Sequence, residues 1–336
     1  MSDPTRTLAE IGEFPMIQAF FAPLQVASAA GVVTGIGDDA AVLAVPRTQH
    51  LLATVDAMVE GVHFASDADP FLLGQKALRV NLSDIAAMGG QPAWYLLSLA
   101  LPGATPEAWL AEFVRGLGVA GEAFGVRIAG GNTTAAPAGR SIHVTMFGLV
   151  SQARALTRAG ALVGDRILVS GTIGDAALGL AVRQGRLVVE DEADRVFLAS
   201  RFDLPEPRVG LGVAVSDAAA VHALIDVSDG LVADLGHLCQ ASGVGAQVDV
   251  AKIPLSEAAR RLLAQDAGLL PLLLTGGEDY ELICTAAEGA LEMLHTLARQ
   301  AGVALTEIGV ITEAPGVVML ADGQPVRLEQ GGWRHF

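Results

Sequence analysis

Apolar residues recur along this chain with two periods, and the switches between them predict its elements. Residues 8–15 lead into an apolar stretch that predicts a helix to about Leu24. A Gly-rich segment at 31–37 follows, and 51–55 reads as a short buried strand that delivers Asp56 at its end, ahead of a loop over 57–69. From Pro70 to Met88, Leu73, Ala77, Val80 and Ile85 return to roughly one face at helical spacing. Gly89, Gly90 and Pro92 then stop that helix. Residues 94–101 read as a strand, and 106–124 as a helix with Thr105 as its N-cap. Residues 126–129 read as a strand running into a loop at 130–134, and 141–150 as a partly alternating strand. The first half is thus β-α-β-α-β-β.

A turn-rich linker at 158–165 separates the halves, which predicts domains of 1–152 and 153–336. Beyond it, strands near 166–170, 223–227, 246–250 and 280–285, and two between 306 and 320, alternate with helices near 175–184, 190–215, 229–241, 256–266 and 288–301. That order predicts α/β or α+β layering. The motifs at 36–41 (IGDDAA) and 173–178 (IGDAAL) resemble each other. Internal duplication and chance in an Ala/Gly-rich chain explain the likeness equally.

Composition narrows the classes. A chain of 336 residues predicts two domains, and 51% hydrophobic with 17% charged residues predicts packed cores rather than disorder. Only 5% aromatics and a net charge of −16 disfavour nucleic acid as a partner. The same charge would repel a polyphosphate unless divalent cations stand between, although solvated surface carboxylates account for it too. Cys239 and Cys284 form no C-x-x-C pair and read as buried, reduced thiols of a cytoplasmic protein. The N-terminus lacks a basic segment followed by an apolar run. No apolar stretch approaches the roughly 18 residues a membrane helix requires. The two lysines, Lys76 and Lys252, lie outside any P-loop pattern.

Five stretches set aspartate or glutamate beside Gly, Ser or Thr: 35–40, 54–64, 80–90, 225–230 and 276–281. Asp39, Asp56, Asp84, Asp226 and Asp229 read as carboxylates at strand ends, with Asp84 as the hub of a magnesium cluster. Hard cations take oxygen ligands, and several Mg²⁺ ions bridging a triphosphate require several separate carboxylates. Each acid alone fits a turn or helix cap equally well. Five together beside buried strands would be costly without cations. The loop at 130–134 offers backbone N–H groups to phosphate. Arg158 is a phosphate clamp or a solvated linker residue. A lone histidine such as His63 is more often structural than functional. Glu278 lines a site or faces solvent, and Trp333 stacks on a planar ligand or anchors the C-terminus.

These motifs together resemble the thiamine-monophosphate kinase family. The resemblance rests on GEF at 12–14, GIGDDAAVL at 35–43, D-x-x-V-x-G-x-HF from Asp56, KALRVNLSDIAAMGGQPAW at 76–94, GGNTT at 130–134, RALTRAGALVGDRILVSGTIGDAALGL at 154–180, IDVSDGLVADLGHL at 225–238 and GGEDYEL at 276–282. It implies a fold shared with aminoimidazole ribonucleotide synthetase, in which N-terminal domains pair into a homodimer and ATP binds in the cleft. It also implies direct transfer of a phosphoryl group from MgATP to thiamine monophosphate, with no phosphoenzyme. Asp39, Thr54, Asp56, Asp84, Asp226 and Asp229 would bind metal, with Val55 offering only its backbone carbonyl. Gly131, Asn132, Arg158 and Ser228 would meet ATP, and His63, Glu278 and Trp333 the thiamine side. Many members carry Ser-Thr-Asp where this chain has Thr54, Val55 and Asp56. Many also carry Asp at position 132, where the amide of Asn132 still offers an oxygen to metal, uncharged. The acceptor is a phosphate oxygen already ionised at neutral pH, so no general base is expected.

Two rivals stand beside this reading. Sister enzymes of the fold include aminoimidazole ribonucleotide synthetase, whose substrate motifs are not apparent here, selenophosphate synthetase, which carries a reactive Cys or selenocysteine near its N-terminus, and a hydrogenase-maturation protein that ends in cysteine. Here the cysteines are at 239 and 284, and the chain ends His335-Phe336. A nucleotide-binding regulatory protein that has lost catalysis would be consistent with Val55 and Asn132.

Overall fold

The computed structural model describes residues 6–24, 31–326 and 332. The chain divides into two compact units, one of Met1–Ile85 with Gln91–Gln152 and one of Ala86–Gly90 with Ala153–Phe336.

In the first unit the helix expected up to Leu24 is broken. It forms α1 (Leu8–Ile11), α2 (Glu13–Met16), a π-turn at Ile17–Phe21 and a 3₁₀ turn at Ala22–Leu24. Gly12 causes the first break: its φ of 80° and ψ of 159° cannot continue a helix. Thr7 starts α1 with a capping box, its N–H donating to Glu10 Oε2 at 2.7 Å. A small hairpin of β1 (Val32–Thr34) and β2 (Val42–Leu43) follows. After it come β3 (Gln49–Val59), α3 (Pro70–Ala87), β4 (Gln91–Pro102), α4 (Glu107–Phe124), β5 (Arg127–Ala136) and β6 (Ser141–Ser151).

The four-stranded sheet runs β3-β6-β4-β5, antiparallel except for β4–β5. Two expectations fail here for one reason. Strand β3 is far longer than the predicted 51–55, and β5 runs through 130–134, expected as a loop. Both segments are polar or exposed at intervals, but ladder hydrogen bonds to β6 and β4 satisfy their backbones. Asp56 therefore lies within a strand, not at its end. Thr105 is not the α4 cap either; Pro106 occupies the N-cap and makes no side-chain hydrogen bond.

Helix α3 buries more than one face, including the polar Gln75, Lys76, Asn81 and Ser83. It meets α4 backbone to backbone. A Cβ on Gly74 would lie 2.1 Å from Phe113 O, and one on Gly116 would lie 2.1 Å from Phe71 O. Along β3, Thr54 and Asp56 are half-buried on one face, while Leu51, Val55 and Val59 are exposed on the other.

The second unit contains β7 (Arg166–Ser170), α5 (Asp175–Arg183), α6 (Glu192–Asp203), α7 (Val209–Asp217), β8 (Ala223–Asp226), α8 (Leu231–Ser242) and β9 (Gly245–Asp249). It continues with α9 (Glu257–Gln265), α10 (Leu270–Thr275), β10 (Leu282–Ala286), α11 (Leu291–Gln300), β11 (Leu305–Thr312), β12 (Gly316–Ala321) and β13 (Gln324–Pro325). Its seven strands run β13-β12-β9-β11-β7-β10-β8, all antiparallel except β12–β9. The period of two sorts the core. Ile167, Val169, Ile225 and Ile283 meet Leu231, Leu235 and Leu238 of α8 on one face. Leu168, Leu224 and Leu282 meet Leu211, Val215 and Leu294 of α7 and α11 on the other. Each such side chain contributes roughly 1.5–3 kcal/mol by leaving water.

Cys239 and Cys284 are buried and free, on opposite faces of this sheet. Burial pushes their thiols up to about 11 and about 12. The two similar motifs fall in different settings: IGDDAA lies in the turn between β1 and β2, whereas IGDAAL opens α5 with Asp175 buried. Duplication finds no support in the described residues.

Candidate functional site

In the first unit a strand and a helix assemble an oxygen-rich cluster. Thr54 and Asp56, two apart in β3, point to the same side. Asn81 and Asp84, three apart in α3, share a helical face. The two pairs interlock. Thr54 Oγ1 donates to Asp84 Oδ2 at 2.6 Å, and the Asp56 N–H donates to Asn81 Oδ1 at 3.2 Å. Asn81 is itself fixed by donating to Ala77 O at 3.0 Å. Asp84 thus sits within a helix, not at a strand end, and a neutral hydroxyl orients its carboxylate. Two carboxylates with hydroxyl and amide oxygens form a hard donor set of the kind that suits Mg²⁺.

A second group in this unit borders a cavity of about 1090 Å³. Asp38, Asp39, Gly130, Gly131, Asn132 and Thr133 line it. Gly131 lets β5 pass close to β4, since a Cβ there would lie 2.0 Å from Leu97 O. The register pairs Asn132 with Ser98, Ser98 with His143 and His143 with Ala57. That row alternates with the Asp56 row, so Asn132 and the 62%-exposed Val55 belong to the face opposite Thr54 and Asp56. The sequence-predicted set in this unit is therefore split into two groups.

His63 follows β3 in a tight turn closed by Gly61 N–H donating to Phe64 O at 2.8 Å. Its Nδ1 accepts the Val59 N–H at 3.1 Å, so the neutral ring carries its proton on Nε2. Arg140 holds the turn, pairing with Glu60 at 3.1 Å while its guanidinium lies 4.9 Å from the Trp109 ring centroid.

In the second unit the loops at 226–230 and 276–281 are laced together. The Glu278 N–H donates to Ser228 O, Tyr280 N–H to Val227 O and Val227 N–H to Glu281 O, each at 2.8 Å. Gly277 permits this, since a Cβ there would lie 2.2 Å from Ser228 O. The lacing brings Ser228, Asp229 and Glu278 together beside the buried Asp226. Glu278 and Tyr280 take φ of 75° and 51°, and a chain in that conformation must be held. Buried carboxylates at the alternate positions hold it. Asp279 accepts the N–H groups of Gly174 (2.6 Å) and Ala176 (3.1 Å) at the start of α5. Burial pushes its carboxyl up to about 8. Glu281, fully buried, accepts from Arg201 at 2.8 Å, from Arg208 twice at 2.6 Å and from Ser170 at 2.6 Å. Asp234, Asp229 and His237 each bring a ligand atom within 4.8 Å of the others. Arg158 is exposed, with its carbonyl accepting from Ser242 Oγ at 3.0 Å. Trp333 lies outside the described residues.

Comparison with known proteins fits this arrangement. Residues 37–150 match the family described as AIR synthase related protein, N-terminal domain, and 163–322 match its C-terminal domain. The thiamine-monophosphate kinase of Escherichia coli K12 is 43% identical over 97% of this chain and 98% of its own. The chain belongs to the thiamine-monophosphate kinase family. A second member, from Haemophilus influenzae, is 38% identical over 97% of this chain and 98% of its own. The crystal structure of the Stenotrophomonas maltophilia K279a member superposes with a TM-score of 0.80 at 42% identity, covering 89% of this chain and 93% of that one. A structure of AaThiL complexed with AMPPCP and TMP gives 0.77 at 33% identity, covering 99% and 100%. The hydrogenase maturation protein HypE, at 22% identity, shares the fold alone.

Sequence reasoning missed Asn81, Asp234, Asp279 and Glu281. Asp234 had a local signal, an acid in the first turn of a helix that follows Asp-Gly. Glu281 had none, because its arginines lie 73 and 80 residues away.

Proposed function

We propose that this protein transfers the γ-phosphoryl group of ATP to thiamine monophosphate, forming thiamine diphosphate and ADP. The near full-length identity with thiamine-monophosphate kinases carries the reading. The clustered carboxylates support it.

We assign Asp39, Thr54, Asp56, Asp84, Asp226 and Asp229 to holding several Mg²⁺ ions, with the Val55 carbonyl and the Asn132 amide as weaker, uncharged contributors. When bound, magnesium neutralises the charge of the phosphoryl group in flight. Thr54 holds the Asp84 carboxylate in one orientation. Gly131 and Asn132 border the cavity where polyphosphate would be received, and Ser228 and Arg158 supply further contacts to ATP. His63, with Glu278 and Trp333, would face the thiamine substrate. The acceptor phosphate is already ionised, so these residues align and neutralise rather than abstract a proton.

The exposed apolar positions Leu51, Val55 and Val59, alternating along β3, support a homodimer through this sheet face. We place the enzyme in the cytoplasm, where ATP is found and buried thiols stay reduced. No helix among the described residues is long and apolar enough to cross a membrane.

Incubation with MgATP and thiamine monophosphate, followed by chromatography, tests the reading. Thiamine diphosphate is the expected product. No product from a chain that still binds ATP would favour a regulatory protein instead.

A further inference from the structure

Asp234 lies one turn into α8 and is buried. Its Oδ2 accepts three successive backbone N–H groups, from Ser228 at 3.0 Å, Asp229 at 3.0 Å and Gly230 at 3.1 Å. Successive N–H groups aimed at one point form an anion-binding concavity. Here the chain's own carboxylate fills it. The far side of the same loop is equally constrained. The Glu278 N–H donates to Ser228 O at 2.8 Å, and Gly230, with φ of 117°, passes so close that a Cβ would lie 2.6 Å from Thr275 O. Little freedom remains in the backbone of 228–230, so the directions of the Ser228 and Asp229 side chains are set by these anchors.

We propose that Asp234 is a positioning residue of the phosphoryl-transfer site, holding the loop so that Ser228 and Asp229 are presented to ATP and magnesium. This rests on the function proposed above. Its Oδ2 is saturated by three donors, so this oxygen acts on the site through the loop it holds. A residue that merely caps α8 would affect stability and nothing else, which separates the two roles.

The test uses the full chain with Mn²⁺ and ADP as probes, following loss of the free Mn²⁺ electron paramagnetic resonance signal. Asp234→Asn keeps the size of the side chain and removes its charge. It is expected to weaken Mn²⁺ binding on the order of 10-fold, as loss of a group supporting a metal ligand does, with a parallel rise in the magnesium concentration giving half-maximal turnover. Asp165→Asn is the control. Asp165 is another buried carboxylate, accepting the Leu162 N–H at 2.8 Å and contacting His222 Nδ1 at 2.8 Å. Its loss is expected to lower the unfolding temperature without moving the Mn²⁺ titration. Wild-type Mn²⁺ affinity in a less stable Asp234→Asn protein would overturn the proposal. Should that variant not fold, Asp234→Glu, which retains the charge but displaces the acceptor, decides on the same measurement. Wild-type chain that binds Mn²⁺ and ADP yet forms no thiamine diphosphate would overturn the proposed function, while the Mn²⁺ comparison would still decide the role of Asp234.

Discussion

Replacing Glu281 by alanine isolates the costliest electrostatic arrangement in the second unit. The carboxylate is fully buried, and the Arg201 and Arg208 side chains are only 14% and 17% exposed. Burial alone would lower the Arg208 pKa, but Glu281, together with Glu206, more than offsets it and leaves the guanidinium above its ordinary value. Glu281→Ala leaves two guanidinium groups facing one another with little water. Removing one partner of a buried ion pair costs about 3–5 kcal/mol. In a domain of this size that lowers the unfolding temperature by roughly 2–4 °C per kcal/mol, so a fall of roughly 6–20 °C is expected. Circular dichroism of thermal unfolding reads it. The loss should also reach the loop, because the Glu281 carbonyl accepts the Val227 N–H and β10 pairs Leu282 with Asp226. Turnover should therefore fall even at temperatures where the variant is folded. Replacing the whole group, as Glu281→Met with Arg201→Met and Arg208→Leu, should recover most of the stability without restoring turnover, since no charge is then stranded. A loss below about 1 kcal/mol for Glu281→Ala, the range of an exposed pair, would refute the reasoning.

Three further outcomes follow from the geometry. Asp84→Asn keeps an oxygen for Thr54 Oγ1 and should leave the unfolding temperature nearly unchanged, while turnover falls about 100-fold or more because cation charge stabilisation contributes several kcal/mol; normal turnover would remove Asp84 from its central role. Gly131→Ala places a Cβ within 2.0 Å of Leu97 O, and overpacking of this kind costs roughly 1–3 kcal/mol, to be read by urea denaturation alongside ATP affinity. The Asp279 carboxyl, raised by burial to about 8, keeps in the folded chain a proton that the unfolded chain releases near pH 4. Its contribution to stability is therefore full below about pH 4 and is lost progressively as pH rises to about 8. Asp279→Asn should flatten that slope, and denaturation curves recorded from about pH 5 to about pH 8 would expose an unchanged one.

Local signals in the sequence carried much of the fold. The helical spacing of Leu73, Ala77, Val80 and Ile85, the Gly and Pro stops after Met88, and the buried runs at 166–170 and 223–227 each report a pattern that the backbone itself imposes. Carboxylates beside small residues marked the candidate site for the same reason, because turns and close approaches demand small neighbours. The matches across the family then brought those stretches into one reading. Where local cues were all that could be used, they misled: Gly130 to Thr134 looks like a loop, and Asp56 like the last residue of a strand.

Tertiary structure decided what the cues could not. Pairing with β6 and β4 turned those two segments into strand, and the register then set Asp56 and Asn132 on opposite faces. Contact with α3 joined Thr54 to Asp84 across thirty residues of chain. Glu281 found Arg201 and Arg208, and Asp279 found the start of α5, only when the second unit folded. The physical reason is separation: a period or a turn is written within a few residues, whereas a partner brought close by packing leaves no mark in the sequence beside it.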